Sequence, residues 1–390
     1  MTDSPLAKRI QSVAPSMTLA IEAKAKKLKQ EGVDVISFSA GEPDFDTPQP
    51  IKQAAIDALQ QGFTKYTPAT GTVELRKAVS EKLARENGLQ YTPEQVIISC
   101  GAKHSIYNIL QVLIEEGDEV IIPTPYWLSY PEMVTLAGGK SVFLKTSFDR
   151  GYQFSADELE RAVTPRTKLL ILNSPSNPTG SVLTREQMVE ITKVAKRHSF
   201  FILSDEIYEK LVYDGLKHYS IGAIDPALLE RTITVGGASK AYAMTGWRIG
   251  FAAAPKFIAD AAGSLQSHST SNPTSFAQAG YLEGLKSGES EVQKMRAVFE
   301  KRRDLIFKLA SGISKLKPFR PSGAFYQFID ISKTGLSSIQ LAARLLDEAR
   351  VAVVPGASFG HDEAIRLSFA ISEEAIDSGM TRIRDFINKI

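Results

Sequence analysis

The sequence predicts an α/β protein: a large domain on a seven-stranded, mostly parallel sheet covered by helices, joined to a smaller α+β domain. The first observation is an alternation. Short apolar runs ending in Gly, Pro, Ser or Asn give way to longer amphipathic stretches, the pattern of strands crossed over by helices. The second is length, since 390 residues exceed one ordinary core and call for two domains.

The strand-like runs, in order, are QVIISCG (95–101), EVIIPTP (119–125), SVFLKTS (141–147), KLLILNSP (168–175), FFILSDE (200–206), RTITVGG (231–237) and WRIGFAAAP (247–255). Runs this apolar suit strands covered on both faces. Between them, 103–117 reads as a helix with Gly117 as C-cap, and 184–198 opens with a Thr-x-x-Gln capping box. From about residue 284 the character changes: a long charged helix, the segment FYQFIDI, a helix near 338–350, then strands VAVVPG and IRLSFA. DVISFSAGEP, near the N-terminus, has the same character. The expected division is therefore 1–46 as N-terminal segment and part of the small domain, 47–283 as the large domain, and 284–390 as the small C-terminal domain.

Composition sets limits. Hydrophobic residues make up 43% and charged residues 23%, as in a folded globular chain. With 46 basic against 44 acidic residues and a net charge of +2, nothing in bulk favours nucleic acid or an anionic membrane. Any bound anion must be held by local groups. One cysteine, Cys100, excludes an internal disulfide and a cysteine metal cluster, and suits a reducing cytoplasm. The N-terminus has no signal-peptide core, and no run reaches the roughly 18 apolar residues of a spanning helix. A cytoplasmic protein without metal is expected.

In an open α/β sheet, ligands bind beyond the carboxyl ends of the strands, so the residues that follow each run are the informative ones. After the first run, Gly101-Ala102-Lys103 opens a helix whose free N–H groups suit an anion, although many turns carry Gly. Asn177 follows the fourth run in SPSNPTG, as a turn former or as a donor to a ligand. Asp205 ends the fifth, where a carboxylate needs a cation or water, and Tyr208 stands three residues on. After the sixth come Lys240, a nucleophile if its pKa is depressed, and Arg248, whose fork suits phosphate. A surface lysine on an ordinary loop is the plain alternative for Lys240. One ligand accounts for the whole set: a phosphorylated pyridine aldehyde, with a lysine on the aldehyde, a carboxylate on the ring nitrogen and the phosphate at a helix start.

ILNSPSNPTG, SDEIY, ASKAYAMTGWRIG and AIRLS resemble motifs of the class I, fold-type-I pyridoxal 5′-phosphate aminotransferases. With SAGEPDFDTP, KYTPATG, PYWLSYPEM and RPSGAFY they are similar to the bacterial-type aspartate aminotransferase branch, in the family's order along nearly the whole chain. The resemblance implies Lys240 as the lysine that binds the cofactor covalently and shuttles the proton, Asp205 on the pyridine nitrogen, and Asn177 and Tyr208 on the phenolic oxygen. Phosphate goes to the backbone of Gly101 and Ala102, with Lys103 beside them, to Arg248, and to Tyr66 reaching over from a second subunit. Trp127 stacks on the ring. Ser239 bonds the phosphate or fills the turn, and the small residues before Lys240 leave room for the cofactor. A homodimer with a shared site follows.

For substrate the resemblance implies Arg366 on the α-carboxylate, helped by Gly41, Asn177 and Trp127, with Lys103 and Thr18 on a distal carboxylate. Lys103 as a solvated residue of the first helical turn remains open. The implied reaction is ping-pong transfer of the amino group from L-aspartate to 2-oxoglutarate. A broader aromatic or prephenate activity is the alternative, disfavoured by Ala14, where prephenate-active relatives carry a cation. No nucleic acid and no membrane are expected as partners.

Overall fold

The computed structural model describes residues 5–13 and 17–390. Ala14 and the side chain of Thr18 lie outside the described residues.

The seven expected strands form one sheet, ordered from edge to edge Val96–Ser99, Gly250–Ala253, Thr232–Gly237, Phe201–Asp205, Thr167–Asn173, Glu119–Pro123, Lys140–Leu144. Every pairing is parallel except the two made by Gly250–Ala253. That strand is antiparallel to both neighbours, so Val96–Ser99 points the same way as the parallel strands. All six carboxyl ends therefore open on one side, where a ligand is expected. The central strands are buried on both faces. The outer Lys140–Leu144 is half exposed and starts with a lysine, a charge that discourages further pairing at a sheet edge.

Helices cover both faces through separate apolar layers. Ile106, Ile109 and Leu110 of Ala102–Leu113 pack with Ile258 and Ala262 of Lys256–Ser269 against one side. Met188, Ile191 and Val194 of Arg185–Arg197 cover the other. The latter helix begins as its sequence predicts: Thr184 Oγ1 accepts from the Gln187 N–H at 3.3 Å and Gln187 Oε1 from the Thr184 N–H at 2.8 Å.

Three expectations are corrected. The helix predicted to run to Gly117 stops at Leu113, because Ile114 turns extended and is buried in the core. The Asp118 carboxylate then takes the Glu115 N–H at 3.1 Å, a local bond that competes with helix continuation. The charged helix of the last third begins at Glu289, behind a separate helix Ser275–Ser287, with Gly288 between them. VAVVPG is two short strands in different sheets, Val351–Ala352 and Val354–Pro355.

A second, four-stranded sheet is antiparallel, ordered Val354–Pro355, Ala364–Ser368, Tyr326–Asp330, Lys317–Pro318. Ile36–Ser37 pairs in parallel with Val351–Ala352, which ties the N-terminal segment to the C-terminal part of the chain. No helix of the described residues is long and apolar enough to cross a membrane.

Candidate active site

Three glycines shape the open side of the sheet. Gly250 sits in register between Ser99 and Gly237. A Cβ there would lie 2.2 Å from the Ala102 nitrogen, so only glycine lets the Gly101-Ala102 turn press against the sheet. Gly101 itself has φ +89° and caps Ala102–Leu113, and a Cβ on it would strike the Arg248 guanidinium at 2.6 Å. Arg248, at φ +56°, folds back so that Nη1 donates to the Thr245 carbonyl at 2.8 Å and Nη2 to Cys100 at 3.4 Å. A helix start and a guanidinium thus face one space, a combination that favours an anion. Gly236 has a different use from the one its sequence suggests. The Phe251 ring occupies the space its side chain would need, 2.6 Å from where a Cβ would stand, so this glycine serves packing rather than making room for a ligand.

Beside the turn lies a cavity of about 290 Å³. Its wall gathers Gly41, Ala102, Lys103, Trp127, Asn177, Asp205, Tyr208, Ser239, Lys240, Arg248 and Arg366, brought from the large and the antiparallel sheets and the segments that follow their strands. Asn173 and Asp205 end neighbouring strands in register, which is why two polar residues separated in sequence meet there.

Two of the charges on this wall, Asp205 and Arg366, are buried and form no ion pair among the described residues, whereas Lys103 and Arg248 are exposed. Asp205 is 4% exposed. Its Oδ2 accepts from the Tyr130 hydroxyl at 2.6 Å and its Oδ1 from the Ile207 N–H at 3.2 Å, and it forms no ion pair among the described residues. Burial pushes its pKa up to about 6, against the pull of the Tyr130 bond. Lys240 lines the cavity with its ammonium donating to the Gly41 carbonyl. Burial draws its pKa down to about 8; Arg366 and Arg248 push the same way, while Glu42 and Asp205 oppose. Arg366 is 2% exposed. Nη1 donates to Asn177 Oδ1 and Nη2 to the Ser39 carbonyl, each at 3.0 Å, whereas Nε has no partner among the described residues. Burial lowers the pKa of this guanidinium from its ordinary value. Lys103 Nζ lies 4.8 Å from the Trp127 ring centroid, and burial followed by the Arg248 charge lowers its pKa.

The chain matches the family "Aminotransferase class I and II" over residues 33–383. The chain belongs to this family. An aspartate aminotransferase of Bacillus sp. (strain YM-2) is 48% identical over 387 residues, 98% of this chain and 99% of the relative. An aspartate/prephenate aminotransferase of Thermus thermophilus is 47% identical over 383 residues, 97% of each chain. Among solved structures, the aspartate aminotransferase from Thermus thermophilus with maleate superposes with a TM-score of 0.95 at 45% identity, covering 98% of this chain and 99% of that one. The protein is a pyridoxal-phosphate-dependent aminotransferase of fold type I. The residues present fit that cofactor chemically. A buried carboxylate forms no ion pair among the described residues, burial draws an amine's pKa down to about 8, and an anion turn is closed by an arginine.

One expected residue stands apart from the aminotransferase cavity: Tyr66 is 90% exposed in this chain and does not line it. The Thr18 side chain lies outside the described residues. The sequence reading missed Tyr130, Asn173 and Tyr326, all on the wall. Each falls inside a quoted motif, and Tyr130 lies three residues beyond Trp127, across a turn in which its N–H donates to the Trp127 carbonyl at 3.0 Å. That spacing is the signal that was available.

Proposed function

We propose that this aminotransferase transfers the amino group of L-aspartate to 2-oxoglutarate, giving oxaloacetate and L-glutamate by a ping-pong route. The observation that carries it is Arg366, a buried guanidinium whose Nε is unpartnered and which meets no carboxylate of the described residues. A desolvated charge in that state is costly, and the α-carboxylate of a substrate supplies the missing partner as a forked pair. Lys103 with Thr18 takes the distal carboxylate of a dicarboxylic substrate, and the relatives named aspartate aminotransferase support that choice.

The remaining roles follow from the chemistry of each group. Pyridoxal phosphate, when bound, supplies an electron sink for the charge left at the substrate's Cα. Asp205 holds a proton on the ring nitrogen, and its own partners fix its orientation. Asn177, whose Oδ1 is committed to Arg366, has its side-chain N–H left to donate to the phenolic oxygen, together with the Tyr208 hydroxyl. The Gly101 and Ala102 backbone, Arg248 and Ser239 hold the phosphate, and Trp127 covers the ring. Lys240 takes the Cα proton and returns it at C4′, a task suited to an amine whose pKa lies near 8. The exposed Tyr66 reaches the phosphate of a second copy, which makes the active form a homodimer. We divide the chain into 47–283 around the cofactor, with 1–46 and 284–390 as the small domain, supported by the pairing of Ile36–Ser37 with Val351–Ala352. A cytoplasmic setting suits the single free cysteine.

A kcat/KM profile over aspartate, prephenate, tyrosine, alanine and cystathionine tests the reading. Aspartate is expected to lead. Relatives named aspartate/prephenate aminotransferase make prephenate the informative competitor, and a profile led by prephenate or by elimination from cystathionine overturns the assignment.

A further inference from the structure

Tyr326 opens the strand Tyr326–Asp330 and joins two groups that the proposed function uses separately. In the antiparallel register Tyr326 faces Ser368 and Phe328 faces Arg366, so Tyr326 and Arg366 are diagonal neighbours on one face of the small sheet. The guanidinium carbon lies 4.4 Å from the Tyr326 ring centroid, a stacked cation–π arrangement. At its other end the Tyr326 hydroxyl is 2.8 Å from the Tyr208 hydroxyl, with the two rings edge to face at 5.8 Å and 79°. Both side chains are almost fully buried, at 1% and 4% exposure.

We propose that Tyr326 is a positioning residue that links the carboxylate-binding Arg366 to the Tyr208 phenol, its hydroxyl setting how strongly Tyr208 donates into the cavity. The inference rests on the roles given above to Arg366 and Tyr208.

Proton counting gives the direction. Each phenol has one hydrogen to donate, and either can donate across the 2.8 Å contact. When Tyr208 spends its hydrogen on a ligand oxygen, its own oxygen can keep this bond only by accepting the Tyr326 proton. Bonds in such a chain polarise one another, so the Tyr326 proton strengthens the Tyr208 donor. Arg366 lies against the same ring, and a substrate carboxylate that neutralises its charge changes the field on that hydroxyl. Filling the carboxylate site is thereby felt at Tyr208 through one side chain.

Packing alone does not account for the residue. Tyr326 belongs to the apolar cluster of Phe38, Phe299 and Phe325, where a phenylalanine would fill the same volume without desolvating a hydroxyl. The hydroxyl is the feature that needs a reason, and its hydrogen-bond partner is Tyr208.

The test compares Tyr326→Phe and Tyr326→Leu in the holoenzyme. Its readouts are kcat and KM for aspartate, the pH titration of the bound cofactor's absorbance, the dissociation constant of pyridoxal phosphate, and the dissociation constant of maleate. Tyr326→Phe keeps the ring under Arg366 and is expected to lower kcat about three- to tenfold, the worth of one hydrogen bond, with KM changed less than about twofold. The absorbance midpoint should rise by about half a unit to one unit, because a weaker Tyr208 donor favours the protonated phenolic oxygen. Tyr326→Leu removes the ring as well and should also weaken maleate binding about fivefold. A Tyr326→Phe enzyme with the parent's kcat and midpoint overturns the proposal. So does one that loses only thermal stability and KM, the pattern of a packing residue. A parent inactive on aspartate would overturn the proposed substrate, while the shift in midpoint still reads the hydroxyl link.

Discussion

Asp205 and Glu206 are adjacent in sequence and equally buried, at 4% and 2% exposure, yet their surroundings are opposite. Glu206 sits among donors on every side. Its carboxylate accepts from the Ser204 hydroxyl and from His218 Nε2 at 2.8 Å, from Asn87 Nδ2 at 3.2 Å, and from the Ser220 hydroxyl. Burial opposes charge on His218, but Glu206 and Glu209 outweigh it and raise its pKa. Next to it, burial alone would raise Glu209, but Lys82 and His218 hold it at about 2. These groups could ligate a metal, but the Lys82 ammonium already bonds Glu209 and fills that role. Asp205, pointing to the open side of the sheet, has a phenol and one N–H and no ion pair among the described residues. Arg303 and Arg366 repeat the contrast: Arg303, fully buried, forks onto Asp214 with two bonds of 2.8 Å, whereas Arg366 meets no carboxylate of the described residues. Buried charge in this protein is balanced where it holds the fold and left open where a ligand is to complete it.

The sharpest way to break the comparison is at the lysines. Lys240→Ala should lower kcat by about 10³-fold or more, since it removes the positioned proton carrier together with the covalent attachment point. Mass analysis after borohydride reduction should find no cofactor attached. Lys82→Ala, which strips the balanced network, should lower the melting temperature while kcat at a permissive temperature stays near the parent's. A Lys240→Ala enzyme with substantial turnover would remove the distinction.

At the arginines, Arg366→Leu gives up two or three charge-assisted bonds to the substrate and should reduce kcat/KM for aspartate by about 10²- to 10⁴-fold. Stability should hold or rise, because a desolvated charge is removed. A large loss of melting temperature would place Arg366 with Arg303 among the structural charges.

Glu206→Ala breaks a balanced network, leaving His218 Nε2 and the Ser204 and Ser220 hydroxyls without their carboxylate acceptor, and should cost about 3–5 kcal/mol in urea unfolding. If it leaves stability unchanged and lowers activity instead, the two neighbours have exchanged roles.

How far the sequence discloses this arrangement depends on whether chain-local rules decide it. Doubly covered strands are apolar runs closed by Gly, Pro or Asn, so all seven strands of the large sheet are legible. Their ends carry the polar residues, so the gathering of Asp205, Asn177, Lys240 and the Gly101 turn is legible too. Tyr326 is not, because its place under Arg366 depends on the register of two strands nearly forty residues apart. The helix end at Leu113 turns on one Asp118 side-chain bond, and the packing of Gly236 on Phe251 on a cross-strand neighbour. The open charges are equally hidden: nothing in Asp-Glu tells which carboxylate will find a cation.

The finest test separates those two carboxylates by pH in the cofactor-free protein. An aspartate titrates near 3.8 when unfolded and Asp205 near 6 when folded. Between those values the folded state keeps a proton that the unfolded state has released, so stability falls as pH rises through this window. Above pH 6 the whole cost stands, roughly 3 kcal/mol as an upper figure. Asp205→Asn carries no such cost. Without cofactor it should therefore unfold at higher urea than the parent at pH 7.5, with the gap closing toward pH 4. Adding pyridoxal phosphate should reverse the order at pH 7.5, because the carboxylate then gains the ring's cation and the amide does not. If the cofactor-free variant is no more stable than the parent at pH 7.5, Asp205 is already compensated within the fold, as Glu206 is, and its open charge no longer marks the ligand's place.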